Sequence, residues 1–185
     1  MRILLTTLIL ILNIQSWTKA EDIRNFQIEG MSIGDSLLNY FDKDLIDLEI
    51  KDKNSLMYKN NKYVQIGASS NKSYRLNIGS NKYDDLSIVL KTTDKTYKIY
   101  AIGGRIFCKK INDCKSKKKQ IVSELESFFG KDVIVNNETK IHRADTTGNS
   151  KLYMTFFKFK SNDNVQVAVY DWSEEFTQNK KFYDN

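Results

Sequence analysis

The sequence predicts an α+β fold: an antiparallel sheet of about six to seven strands with helices packed on one face. Three observations carry this reading. Residues 112–129 place Ile121, Val122, Leu125, Phe128 and Phe129 on one helical stripe. Residues 55–107 and 133–172 instead alternate apolar and polar side chains between turns rich in Asn, Ser and Gly, which is the strand pattern. The order runs helix, strands, helix, strands, in blocks, as an α+β chain does. That layout points to two helix-then-strands units, without a residue-level repeat.

The chain opens on MRILLTTLILILNIQSWTKA. Arg2 is followed by an uncharged run from Ile3 to Ile14, and Thr18-Lys19-Ala20 ends the stretch with small residues at the cut, the layout of a cleaved secretory signal. Twelve residues make roughly 18 Å of helix at ~1.5 Å each, short of a bilayer core of ~30 Å. The expectation is a signal over 1–20 and a single α+β domain over 21–185 with a polar C-terminal tail. It places the protein in the periplasm or outside the cell, and not spanning the membrane after cleavage near Ala20.

A chain of that size can bury a core without metal or disulfide support, and 41% hydrophobic content is that of a folded domain. The formal charge of +6 includes Arg2 and Lys19, so residues 21–185 carry +4. That is too mild for a nucleic-acid arm, and no nucleic-acid partner is expected. The chain has no proline, and its abundant lysine, asparagine and isoleucine are residues of AT-rich codons.

The elements then follow in order. Ser32-Ile33-Gly34-Asp35 has the form of a capping box, and Ile33, Leu37, Leu38 and Phe41 predict a first helix over about 33–41. Residues 42–51 read as a second short helix or a strand. The acidic Asp42, Asp44, Asp47, Glu49 and Asp52 lack the glycine and spacing of a calcium loop. Three or four strands are expected over 55–107, among them 74–78, with a hairpin turn at Thr93-Asp94-Lys95 and a bulge or kink at Gly103-Gly104. A strong helix runs over 112–129, capped by Asn112 or Asp113 and ended by Gly130. Strands are expected at about 133–142, 152–160 and 165–172, then a short helical turn in the tail.

Candidate chemistry is sparse. Cys108 and Cys114 form an even pair in an exported chain and read as one disulfide, pinning the helix start to the sheet edge. Two thiols fall short of a zinc site. No serine-hydrolase, zinc-protease or P-loop motif is present, so no catalytic residue and no cofactor or metal is assigned. The one histidine, His142, could pair with Asp145 as the general base of a small hydrolase; a polar residue beside a turn is the plainer alternative. Lys109, Lys110, Lys115, Lys117, Lys118 and Lys119 cluster at the helix start, against its dipole. They form either a candidate anion-binding patch or the ordinary surface of a lysine-rich chain. Tyr170 and Trp172 close the last strand as candidate interaction residues. The function these features favour is a non-enzymatic periplasmic binding module, whose partner is an envelope protein or an anionic envelope component.

The segments Phe26-Gln27-Ile28-Glu29-Gly30-Met31-Ser32-Ile33-Gly34-Asp35-Ser36-Leu37-Leu38, the Cys114 helix and Tyr170-Asp171-Trp172-Ser173 together resemble a family of small exported proteins of unknown function from AT-rich marine alphaproteobacteria of the Pelagibacter type. The resemblance implies a Gram-negative periplasm and brings no catalytic residues. Gly30 and Gly34 leading into a short helix, with strands after it, is also similar in layout to the units of the lipoprotein BamE and of beta-lactamase inhibitory protein. The chain departs from these in lacking a lipobox cysteine near the cut and a Leu-Gly-x-Pro helix ending.

Overall fold

The computed structural model describes residues 23–69, 74–79 and 82–179. The expected signal over 1–20 lies outside them. After a 3-10 turn at Ile23–Asn25 comes a small hairpin of β1 (Gln27–Ile28) and β2 (Met31–Ser32). Glu29 and Gly30 at its tip both take positive φ, as a two-residue type I′ turn requires.

The helix expected over 33–41 does not form. Half of the capping box does: the Ser32 N–H donates to the Asp35 carboxylate at 2.9 Å. But Gly34 sits at φ +96°, and the N–H groups of Gly34 and Leu37 donate to the carbonyls of Ile99 and Tyr97 at 2.9 and 3.0 Å. Pairing with a neighbouring strand thus wins over local helix propensity. Only a 3-10 turn at Leu37–Asn39 remains, with the Ser36 hydroxyl accepting from the Leu38 N–H.

Residues 42–51 resolve as helix α1 (Lys43–Ile50), followed by β3 (Leu56–Tyr58), β4 (Tyr63–Ala68), β5 (Asp85–Lys91) and β6 (Ile99–Arg105). These strands form one antiparallel sheet in sequential order. Period-2 alternation turns Val64, Ile66, Ala68, Leu86, Ile88 and Leu90 inward, all essentially buried, and α1 presses the fully buried Ile46 into the same cluster. The strand expected at 74–78 is instead a loop, joined by a single bridge from Asn77 to Ser69. Leu76 still reaches the core, which explains the apolar alternation. The tyrosine before it lies over Gly67, where an added Cβ would come 2.2 Å from the Tyr74 ring. Gly103-Gly104 is not a kink either. β6 runs through both, the register shift lies opposite Val89/Leu90, and Gly104 makes room for the Tyr83 ring at 2.3 Å from an added Cβ.

The second unit begins with α2 (Ile111–Phe129), which ends at Gly130 with φ +67°. The strands β7 (Ile134–Ile141), β8 (Lys151–Lys158) and β9 (Asn164–Asp171) make a three-stranded antiparallel sheet in that order, and the short α3 (Glu174–Asn179) follows. Leu125 and Phe129 of α2 pack with Phe157, Phe159, Val133 and Ile23 into a second apolar cluster.

The α+β class and a total of about seven main strands are therefore as expected, but 74–78 is not one of them, and the described strands divide into sheets of four and three beside the small hairpin. Each of the two larger sheets has its own helix and its own core. Phe26 packs against both clusters. The Cys108–Cys114 disulfide is formed, with Cα atoms 5.6 Å apart, and ties the first turn of α2 to the segment leaving β6. The helix starts at Ile111 with Lys110 as its N-cap and no side-chain cap bond, two to three residues before the expected caps Asn112 or Asp113.

Candidate functional site

Strand periodicity sorts the three-stranded sheet into two faces. One is covered by α2: Lys115 reaches Tyr153, Lys118 reaches Thr155 and the Phe129 ring meets Phe157 at 5.6 Å. These are the odd-numbered residues of β8. The even-numbered residues therefore form the other face: Leu152, Met154 and Phe156 from β8, Ala168 and Tyr170 from β9, and Ile134 at the start of β7. Met154 is buried, Leu152, Phe156 and Ala168 are partly buried, and Tyr170 and Ile134 are 49% and 66% exposed.

At one end of this face four rings meet. His142, just past β7, stands edge-on to Trp172 at 4.3 Å between centroids and tilted to Tyr170 at 5.7 Å. Tyr170 and Trp172 are stacked at 5.7 Å, and Trp172 stacks on Phe176 of α3 at 5.0 Å. Offset and edge contacts of this kind are the favoured aromatic geometries.

Asp145 fixes the corner. Its carboxylate is almost fully buried. One oxygen accepts from the Thr147 N–H and hydroxyl at 2.9 and 2.6 Å. The other accepts from the Ser150 N–H and hydroxyl at 2.8 and 2.5 Å and from the Ser173 hydroxyl at 3.0 Å. Ser173 in turn accepts from the Phe176 N–H at 3.2 Å, capping α3. Burial pushes the Asp145 pKa up, but the Ser150 and Thr147 bonds together outweigh it and hold the carboxyl well below the usual range. This hub was not legible as such. The signal was Asp145-Thr146-Thr147-Gly148, an Asx turn, with Ser150 five residues on.

The expected partner of Asp145, His142, is not bonded to it through side chains. Its Nδ1 accepts from the Ala144 N–H at 3.2 Å, and its ring is a wall of the aromatic cluster. Two surface hollows, of about 380 and 560 Å3, are lined by other residues, Leu38–Asp42 with Arg75 in one and Phe26 with Phe128 in the other. Among the described residues no three His, Cys, Asp or Glu side chains are grouped to hold a metal ion.

The six lysines split. Lys115 spans the Asp171 carboxylate and the Tyr153 hydroxyl, each at 3.4 Å, with its ammonium 4.4 Å from the Tyr153 ring centroid. Desolvation pulls its pKa down, yet the Tyr153 and Asp171 bonds raise it overall. Lys118 donates to Thr155, whose hydroxyl donates on to Asn137 at 2.6 Å, and burial lowers its pKa. Both thus support the sheet. Lys109, Lys110, Lys117 and Lys119 are exposed around the disulfide.

The fold and this face define an α+β chain with an aromatic-ended sheet surface. Comparison with family models, with curated proteins and with solved structures gives no match. Among the described residues no helix is long and apolar enough to cross a membrane.

Proposed function

We propose that this chain is a non-enzymatic, exported binding module that docks an envelope protein on the α2-free face of its three-stranded sheet, with Tyr170 and Trp172 at the centre of the contact. The observation that carries this reading is the stacked Tyr170–Trp172 pair, Tyr170 exposed and Trp172 partly buried, beside Ser173, which its bonds to Asp145 and Ser150 fix in place. Rigid aromatic anchors beside apolar surface are what protein interfaces use most. The signal-like residues 1–20, the disulfide and the resemblance to small exported proteins support a periplasmic setting, with cleavage near Ala20.

The test is a photo-crosslinking residue at Gln166, exposed on the same face, in cells expressing the full chain. A reproducible adduct that disappears in Tyr170→Ala is expected. Absence of any reproducible adduct in the envelope fraction would overturn the proposal.

The exposed Lys109, Lys110, Lys117 and Lys119 favour a second reading, an anion-binding patch. Four exposed cations, two just before α2 and two within it, would bind anionic vesicles at low salt and release them as salt screens the contact. Equal sedimentation with neutral and anionic vesicles excludes this reading.

A further inference from the structure

We infer that the chain pairs with a second copy of itself along the open edge of β7. β3 is three residues long. β6 is covered at its start, where residues 34–37 bond to Tyr97 and Ile99 and Ser36 bridges Lys98. β9 has α2 packed along it. β7 has β8 on one side only and, among the described residues, no strand or bridge on the other. It is eight residues long, its register with β8 is unbroken, and it contains no proline. Soluble proteins guard such an edge with a bulge, a proline or charged side chains, unpaired lysine above all. The Lys140 ammonium instead lies 2.5 Å from the Glu138 carboxylate of the same strand.

The bonding phase of β7 follows from one contact. The His142 N–H donates to the Ser150 carbonyl at 3.0 Å, in step with the pairing of Ile141 opposite Lys151. Even-numbered residues of β7 therefore bond to β8, and the N–H and C=O groups of Val135, Asn137, Thr139 and Ile141 point away from the sheet. A second β7, running antiparallel, must set odd residues against odd residues.

Four such registers pair at least five residues of β7 with their copies, and the one centred on Asn136 leaves Glu138 opposite Ile134. One centred on Asn137 leaves Glu138 opposite Asn136 and Lys140 opposite Ile134. One centred on Glu138 sets that carboxylate against its own copy. The register centred on Thr139 sets Glu138 against Lys140 of the second copy, twice by symmetry, and exchanges the one ion pair within each strand for two across the interface. Opposite charges directly across strands stabilise the pairing and like charges oppose it. Charge complementarity thus selects a two-fold axis through Thr139, with about six new backbone bonds. The product is one six-stranded sheet. It also joins the two Tyr170–Trp172 faces, although the inference does not depend on what docks there.

The experiment is sedimentation velocity on protein purified from cells expressing the full chain. The wild type is expected to dimerise. Glu138→Lys and Lys140→Glu, made separately, each place like charges across both symmetric contacts and should weaken the dimer about tenfold or more. The double variant carrying both changes restores it. Mixing the two single variants gives a heterodimer, which unfolded variants could not form. A wild type that stays monomeric at high micromolar concentration, as it would if the edge serves a strand of another protein, overturns the inference. So do single variants that dimerise as well as the wild type, or a mixture that forms no heterodimer.

Discussion

At the scale of single residues, the corner that presents Trp172 depends on one carboxylate. Asp145 has five donors and almost no water. A buried acceptor so fully used is stable only while ionised, because protonation makes it a donor among donors. The sign of its pH effect follows. Its folded pKa is depressed, so its contribution is fully present above the unfolded carboxylate value of about 3.9 and is lost as pH falls below that toward the folded value. The expected outcome is a wild-type Tm that falls with acidification below about pH 4. In Asp145→Asn the Tm is lower at neutral pH and the acid slope from this group is gone. Thermal melts at several pH values, followed by near-UV circular dichroism of the Trp172 region, check this. An unchanged acid slope in the variant would count against it. Ser150→Ala, which removes a fully buried hydroxyl from the same hub, should cost about 1–3 kcal/mol.

At the scale of elements, α2 was the most legible part of the sequence, because a long amphipathic run with a glycine end leaves few alternatives. The segment 33–41 has a similar apolar spacing, yet it pairs with β6. Its capping box is half built, so the local signal was real and a long-range partner overrode it. Residues 74–78 alternate like a strand because Tyr74 and Leu76 are both used, one over Gly67 and one in the core, without a strand between them. The positions of Tyr170 and Trp172 were legible as a strand end. Their support was not, because Asp145 and Ser173 are 28 residues apart and meet only through the sheet. Lys115 and Lys118 likewise looked like their neighbours, and only the helix rotation turns them inward. The start of α2 shows what the disulfide does. It has no side-chain cap, and its lysines oppose the helix dipole, so the Cys108–Cys114 bridge is its main restraint. Replacing both cysteines with serine opens a loop of sequence separation 6 and should cost about 2–2.5 kcal/mol. Amide exchange should quicken in the first turns of α2, with β8 protection following only the global loss. If the first turn stays as protected as the helix centre, the bridge is not what holds it.

At the scale of the whole molecule, two cores have to behave as one. The first is closed by α1 over the four-stranded sheet, the second by α2 over the three-stranded sheet, and Phe26 is packed in both. Its ring lies 5.8 Å from Phe129 and 6.4 Å from Phe128, while its backbone leads directly into β1. Phe129 itself touches Phe157 and Phe159 at 5.6 and 4.9 Å, so Phe26 is one step from the centre of the second core. Removing a half-buried ring should cost less than the full 3–5 kcal/mol of a core phenylalanine, about 2–3 kcal/mol. The more telling effect is on coupling. Residues that share a packed neighbour lose stability together, and their independence grows when that neighbour is deleted. In the wild type, amides of β5 and β8 should exchange with similar opening free energies. In Phe26→Ala the β8 amides should lose protection first, because Phe129, which packs on Phe157 of β8, loses a neighbour, whereas Ile88 and Leu90 keep Val64, Ile66 and Ile99 around them. The urea transition should broaden as the two sheets part company. Equal loss of protection in β5 and β8, with an unchanged transition width, would mean that the cores are joined elsewhere and that Phe26 is only one contact among many.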